Sequence, residues 1–122
     1  MSDALDRTHL EQLGTRFGGG FLIQLIDLFI VQGRERIAAA HAAAQAGDAR
    51  GVSAAAHALK SSAGNLGAQS LGARAAAVER SGAAAQDAPA LAALVDGLTA
   101  SFEEACLALQ SVRAGYTNEG DR

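Results

Sequence analysis

One proline, one cysteine, no tryptophan, four phenylalanines and one tyrosine are all that this 122-residue sequence contains of those residue types. With Cys106 alone, no internal disulfide can form, and the polar stretch from Met1 to Arg7 lacks the apolar core of a secretory signal, so the cytoplasm is the expected compartment. Ten basic residues against thirteen acidic ones leave a formal charge of −3 with no run of like sign. Such a surface offers no basic stripe to a phosphate backbone or an anionic bilayer, and neither nucleic acid nor membrane is expected as a partner. The most apolar segment, Phe21 to Val31, contains Gln24 and Asp27 and falls well short of the roughly 20 residues that a bilayer span requires.

What the sequence has in quantity is alanine, thirty residues of it. Alanine is the strongest helix former and a weak strand former, and no stretch alternates strictly between apolar and polar residues. The expected fold class is therefore all-α, in a chain long enough for one domain that buries roughly two-thirds of its unfolded surface.

Five helices are expected. Thr8 and Glu11 have the spacing of a capping box and start a short first helix, with Ser2 or Asp3 as alternative starts. Gly18-Gly19-Gly20 marks a bend or boundary. A long second helix, about Phe21 to Ala46, carries Leu22, Ile26, Phe29, Gly33, Ile37, Ala40 and Ala44 at three- and four-residue steps, joined at its start by Phe21, Leu25 and Leu28. Gly47 and Asp48 end it and cap the third, which runs from about Ala49 to Ala63 or slightly beyond. The fourth covers Gln69 to Ala84 with Leu71, Ala75 and Val78 inward. Asp87 and Pro89 start the fifth, which carries Leu91, Leu94, Leu98, Phe102, Ala105, Leu109 and Val112. Residues 115–122 read as a solvated tail, leaving 1–114 as the domain. Short connections make sequential helices antiparallel, which predicts an up-down-up-down four-helix bundle of the second to fifth helices, with the first as an additional short helix and no deep substrate cavity.

The segment from His57 to Ala68 carries the chemistry. At 100° per residue, Arg50, Ser53, Lys60, Ser61 and Gly64 fall within about 60° of His57, while Val52, Ala55, Leu59, Ala63 and Leu66 lie opposite and face the core. His57 therefore points outward, and no cluster of carboxylates is expected around it. Lys60, one turn on, is the only lysine among the ten basic residues. An imidazole with an ordinary pKa of about 6.5 is largely neutral at pH 7 and nucleophilic at one nitrogen, so it can accept a phosphoryl group. Lys60 at ~5 Å would offset the added charge by ~1–3 kcal/mol per pair before screening. Serine hydroxyls could donate further hydrogen bonds to phosphoryl oxygens.

His57-Ala-Leu-Lys60-Ser61-Ser62-Ala63-Gly64-Asn-Leu-Gly67-Ala68 resembles the phospho-acceptor motif of the histidine-containing phosphotransfer (HPt) domains of bacterial two-component phosphorelays, and the likeness extends from about Phe17 to Glu79. The resemblance implies that His57 is phosphorylated, that Lys60 steadies the phosphoryl group, and that Gly64 leaves room for an approaching receiver domain. It implies no cofactor in this chain, with Mg²⁺ supplied by the receiver domains of a hybrid histidine kinase or response regulator, and no autonomous kinase or phosphatase activity. Ser61 departs from the family, in which glycine often follows the lysine. Docking candidates are Ser53, Ser61 and Gly64 together with Leu10, Leu13, Phe17 and Phe21, although these apolar residues also suit a bundle core.

Two other readings compete. A helical interaction module would use the same face without carrying phosphate. A histidine-kinase dimerisation hairpin also displays a histidine, but there an acidic residue follows it and a proline lies several residues on; here Ala58 follows, and no proline occurs before Pro89. His9 and His41 lack a second ligand one turn away and read as surface histidines, Cys106 reads as a buried thiol, and a monomer is expected.

Overall fold

A computed structural model describes residues 5–84 and 87–120 of the chain, and the side chains of all of these except 83 and 117–120. They form five helices and no strand: α1 (Arg7–Phe17), α2 (Gly19–Gln45), α3 (Ala49–Leu66), α4 (Gln69–Ala84) and α5 (Ala88–Gly120). The expected all-α class and number of helices hold. No helix among the described residues is long and apolar enough to cross a membrane.

Local chemistry sets most boundaries. Gly47 adopts a φ of 68° directly after the last turn of α2, and Gly67 a φ of 67° after α3; both lie in the left-handed region where a side chain would be strained. Asp48 accepts the Gly51 backbone N–H at 2.9 Å, and Asp87 accepts that of Ala90 at 2.9 Å, so both aspartates cap the helices that follow them.

The start of α1 differs from the Thr8–Glu11 expectation. Asp6 is the cap, accepting the His9 backbone N–H at 3.1 Å, and its own N–H donates to the Gly67 carbonyl at 2.7 Å. Leu5 and Leu10, on either side of the first turn, are both buried and occupy hydrophobic-staple positions. Tertiary anchoring thus selects a cap two residues earlier than the local motif; the alternative starts at Ser2 and Asp3 lie outside the described residues. At the triple glycine only Gly18, with a φ of 93°, separates two helices, and Gly19 and Gly20 belong to α2. The stretch read as a tail is helical through Gly120, and Tyr116 packs against the core. Only 121 and 122 of it lie outside the described residues.

Helix α2 packs on α3 and α5, α4 packs on the same two, and α1 lies on α2. The core holds the apolar stripes read from sequence: Leu22, Ile26 and Phe29 from α2, Val52 and Leu59 from α3, Leu71 and Val78 from α4, and Leu98, Phe102 and Leu109 from α5. Phe29 and Phe102 meet with ring centroids 5.7 Å apart. A Cβ on Gly33 would overlap the Phe102 ring, so this glycine is the space into which the largest fully buried side chain fits. On the α3–α4 interface a Cβ on Gly72 would reach Ala63 and one on Gly82 would reach Ser53, the close approach expected of small side chains.

Candidate functional site

The roll of α3 is fixed by Val52, Ala55, Ala56, Leu59, Ala63 and Leu66, all buried. This turns His57 outward, its side chain 62% exposed, with Lys60 on the same face one turn later. The next element supplies a group that the sequence reading did not foresee. His57 and Glu79 are equidistant from Ala68 at the α3–α4 junction, eleven positions either way, and the two helices bring them side by side. Glu79 Oε2 lies 2.8 Å from His57 Nδ1, and Glu79 Oε1 accepts from Lys60 Nζ at 2.7 Å. Among the described residues no cluster of carboxylates surrounds His57, but this one carboxylate clips the histidine and the lysine together.

Electrostatics fix the roles within this triad. The hydrogen bond from the Lys60 ammonium, and after it that from the His57 ring, hold the Glu79 carboxyl below the usual carboxylate range. An ionised carboxylate only accepts, so Nδ1 carries the proton and donates, which leaves the lone pair on Nε2. The carboxylate therefore selects the tautomer in which the free nitrogen is the nucleophilic one. A single retrospective signal pointed to Glu79: in a hairpin of two helices, residues equally far from the turn meet.

Around the triad, Ser61 and Gly64 are exposed, and a Cβ on Gly64 would meet nothing within 4 Å. No packing among the described residues requires glycine there, and the surface beside the histidine is open. Ser53, a docking candidate on the same face, is tied into the bundle. It is half-buried, and its hydroxyl donates to the Glu79 carbonyl at 3.1 Å, tying α3 to the backbone of α4. Beside His57 and Glu79 an open groove of ≈ 550 Å³ runs along α3 past Ser53, Ala54 and Arg50.

The apolar docking candidates divide. Leu10 is only 2% exposed and belongs to the core, which removes it from any docking surface; the burial that makes it the staple of α1 is the physical reason. Leu13 is half-buried against the core. Phe17 and Phe21 are 54% and 41% exposed, with ring centroids 5.0 Å apart, forming an aromatic pair at the α1–α2 junction. Leu28, exposed on α2, continues this surface to a small groove that it lines with Leu25, Gln32, Ser62 and Asn65 and that reaches α3.

His9 and His41 are not free surface rings, as was expected, but are half-buried and bonded across helices. His9 Nε2 donates to the Asn65 carbonyl at 2.9 Å. His41 Nε2 lies 3.1 Å from Thr99 Oγ1, which itself donates to the Val95 carbonyl at 2.8 Å, so the histidine is the donor. Cys106 is buried, and burial pushes its thiol up to about 11, so it is no nucleophile at neutral pH.

The Hpt domain family model matches residues 24–113. No curated protein sequence matches the chain closely enough to count as a relative. Among solved structures the chain is similar to the crystal structure of histidine-containing phosphotransfer protein B from Pseudomonas aeruginosa, with a TM-score of 0.81 and 29% identity over 95% of this chain and 99% of that one. The family match takes in α3, α4 and most of α5, with His57, Lys60 and Glu79 inside it, and the chain accordingly belongs to the Hpt domain family and acts in histidine phosphotransfer within a phosphorelay.

Proposed function

We propose that His57 is the phospho-acceptor and that its Nε2 is the atom that carries the phosphoryl group. The observation that carries this reading is the bond of Nδ1 to Glu79 on an otherwise exposed ring. With a phosphorylated receiver aspartate in line, the Nε2 lone pair attacks phosphorus. The N–P bond forms as the acyl-phosphate P–O bond breaks, and the aspartate leaves as a carboxylate. The Nδ1 proton stays in its bond to Glu79, whose charge offsets the positive charge that develops on the ring. Lys60 turns from Glu79 to a phosphoryl oxygen, a short movement for a flexible ammonium. The reverse sequence delivers the group to a second receiver.

Mg²⁺ is assigned to the receiver partner, and this chain contributes no cofactor of its own and no kinase or phosphatase activity. The partner is a receiver domain of a hybrid histidine kinase or of a response regulator, seated on Phe17, Phe21 and Leu28 and reaching His57 over Ser61 and Gly64. We read the architecture as an antiparallel up-down-up-down bundle of α2 to α5 with α1 as an added helix. The pairs that meet support this: Ala63 with Gly72 and Ser53 with Gly82 on α3 and α4, Asp27 with Arg113 and His41 with Thr99 on α2 and α5. Since these helices enclose one core, we assign the protein as a monomeric single domain, acting in the cytoplasm where receiver domains operate, with no nucleic-acid or membrane partner.

Incubation with a phosphorylated receiver domain should leave an acid-labile, base-stable label on the chain, and His57→Gln should abolish it while receiver binding persists. Undiminished label in His57→Gln would place the acceptor elsewhere. Binding without label in the parent protein would instead identify a helical interaction module.

A further inference from the structure

The carboxy-terminal turn of α5 extends past the Hpt family match, which ends at residue 113, and it reaches the aromatic pair from behind. An ideal Cβ on Gly14 of α1 would lie 2.5 Å from the Tyr116 hydroxyl oxygen and 2.9 Å from its ring, and one on Gly19 of α2 would lie 2.9 Å from Tyr116 Cδ1. Both helices thus lack a side chain where this one ring sits, and the ring bridges them across Gly18, the residue that separates α1 from α2. One turn earlier, Arg113 makes two hydrogen bonds to Asp27, at 2.7 and 3.0 Å, which dock the end of α5 onto α2. Phe17 is the last residue of α1, three positions beyond Gly14, and its ring packs on Phe21 two positions beyond Gly19. The first turn of α1 is anchored separately, through Asp6 to Gly67 and His9 to Asn65. Tyr116 is therefore the clamp at the other end of α1, the end that presents Phe17.

We propose that Tyr116 is a positioning residue for receiver docking: seated over Gly14 and Gly19, its ring sets the place of Phe17 beside Phe21 and so the shape of the surface that the receiver meets. This rests on the reading of Phe17 and Phe21 as the docking surface. Interfaces draw most of their affinity from a few aromatic anchors held in a fixed arrangement, and loosening such an arrangement raises the cost of ordering it on binding. The ring does not touch His57, so its removal acts on encounter with the receiver and not on the reactivity of the imidazole.

Two assays on the full chain separate these effects. Phosphoramidate, a small donor with no docking surface, reports His57 reactivity; transfer from phosphorylated His57 to a receiver domain, selected from the host's receivers by its activity with the parent protein, reports docking. Tyr116→Ala should raise the half-saturating receiver concentration about fivefold or more, with the phosphoramidate rate within about twofold of the parent. Tyr116→Phe, which keeps the ring, should restore it. Gly14→Ala should raise it in the parent but add little in the Tyr116→Ala background, where the ring that the new methyl would strike is gone. An unchanged receiver dependence in both Tyr116→Ala and Gly14→Ala, alongside a raised one in Phe21→Ala, overturns the role of Tyr116 and leaves the docking surface standing. An unchanged dependence in Phe17→Ala and Phe21→Ala overturns the docking surface itself. Equal losses in the phosphoramidate and receiver assays for Tyr116→Ala also overturn the proposal, since they mark a general loss of structure.

Discussion

Glu79 accepts a hydrogen bond from His57 Nδ1 at 2.8 Å across the interface of α3 and α4, and that contact leaves Nε2 to the solvent and to chemistry. Glu79→Ala should slow phosphorylation of His57, from phosphoramidate and from a receiver alike, by roughly two- to tenfold, the scale of one net hydrogen bond. Glu79→Gln keeps an amide oxygen for Nδ1 and should lose less. Rates for Glu79→Ala equal to those of the parent would remove the orienting role.

Lys60 donates to the same carboxylate at 2.7 Å, and in the proposed mechanism it turns onto the phosphoryl group when His57 is loaded. Because the Lys60 side chain is 40% exposed, the effect of its charge is screened. Lys60→Ala should shorten the lifetime of phosphorylated His57 or slow its transfer by about fivefold. The gap between variant and parent should shrink in molar salt. No difference at low salt, measured by decay of the label, would exclude Lys60 from phosphoryl stabilisation.

Two carboxylates make stability sensitive to acid. Lys60 and then His57 hold Glu79 below the ordinary carboxylate range, and the hydrogen bond from Arg113 does the same for Asp27. Each binds its proton less readily in the folded protein than in the unfolded chain. The stabilisation is therefore complete above the ordinary range of about 4 and is lost as pH falls through the lowered folded value. The urea midpoint of the Asp27→Asn/Glu79→Gln variant should lie below that of the parent at pH 7, and the gap should narrow by pH 3. A gap of the same size at both values would contradict this linkage.

Gly33 is reserved for the ring of Phe102. Gly33→Ala should destabilise the protein by about 1–3 kcal/mol through overpacking, and Phe102→Leu should relieve most of that cost when the two are combined. Additive losses in urea titrations would show that the two residues do not compete for the same space.

Much of this organisation was legible along the chain because helices advertise themselves by period. The core stripes of α2, α3 and α5 and the caps at Gly47, Asp48 and Asp87 follow from local rules, and the outward direction of His57 follows from the five apolar residues opposite it. What local reading missed depends on contacts between helices. Asp6 displaces the Thr8 cap because Leu5 and the Gly67 carbonyl anchor it; Leu10 faces the core and not a partner; Ser53 bonds to the backbone of α4; and Gly115 fails to end α5 because Arg113 and Tyr116 find partners on α1 and α2. Glu79 was the most consequential omission. Its place beside His57 follows from the length of two helices about their turn, a relation invisible in any one helix.

Long-range ¹H–¹⁵N correlation spectra of the ¹⁵N-histidine-labelled protein, recorded before and after loading with phosphoramidate, distinguish both nitrogens of all three histidines. One ring, that of His57, should gain phosphorus, at Nε2, with Nδ1 protonated and the rings of His9 and His41 unmodified. Phosphorus on Nδ1 of His57, or on either of the other histidines, would contradict this assignment.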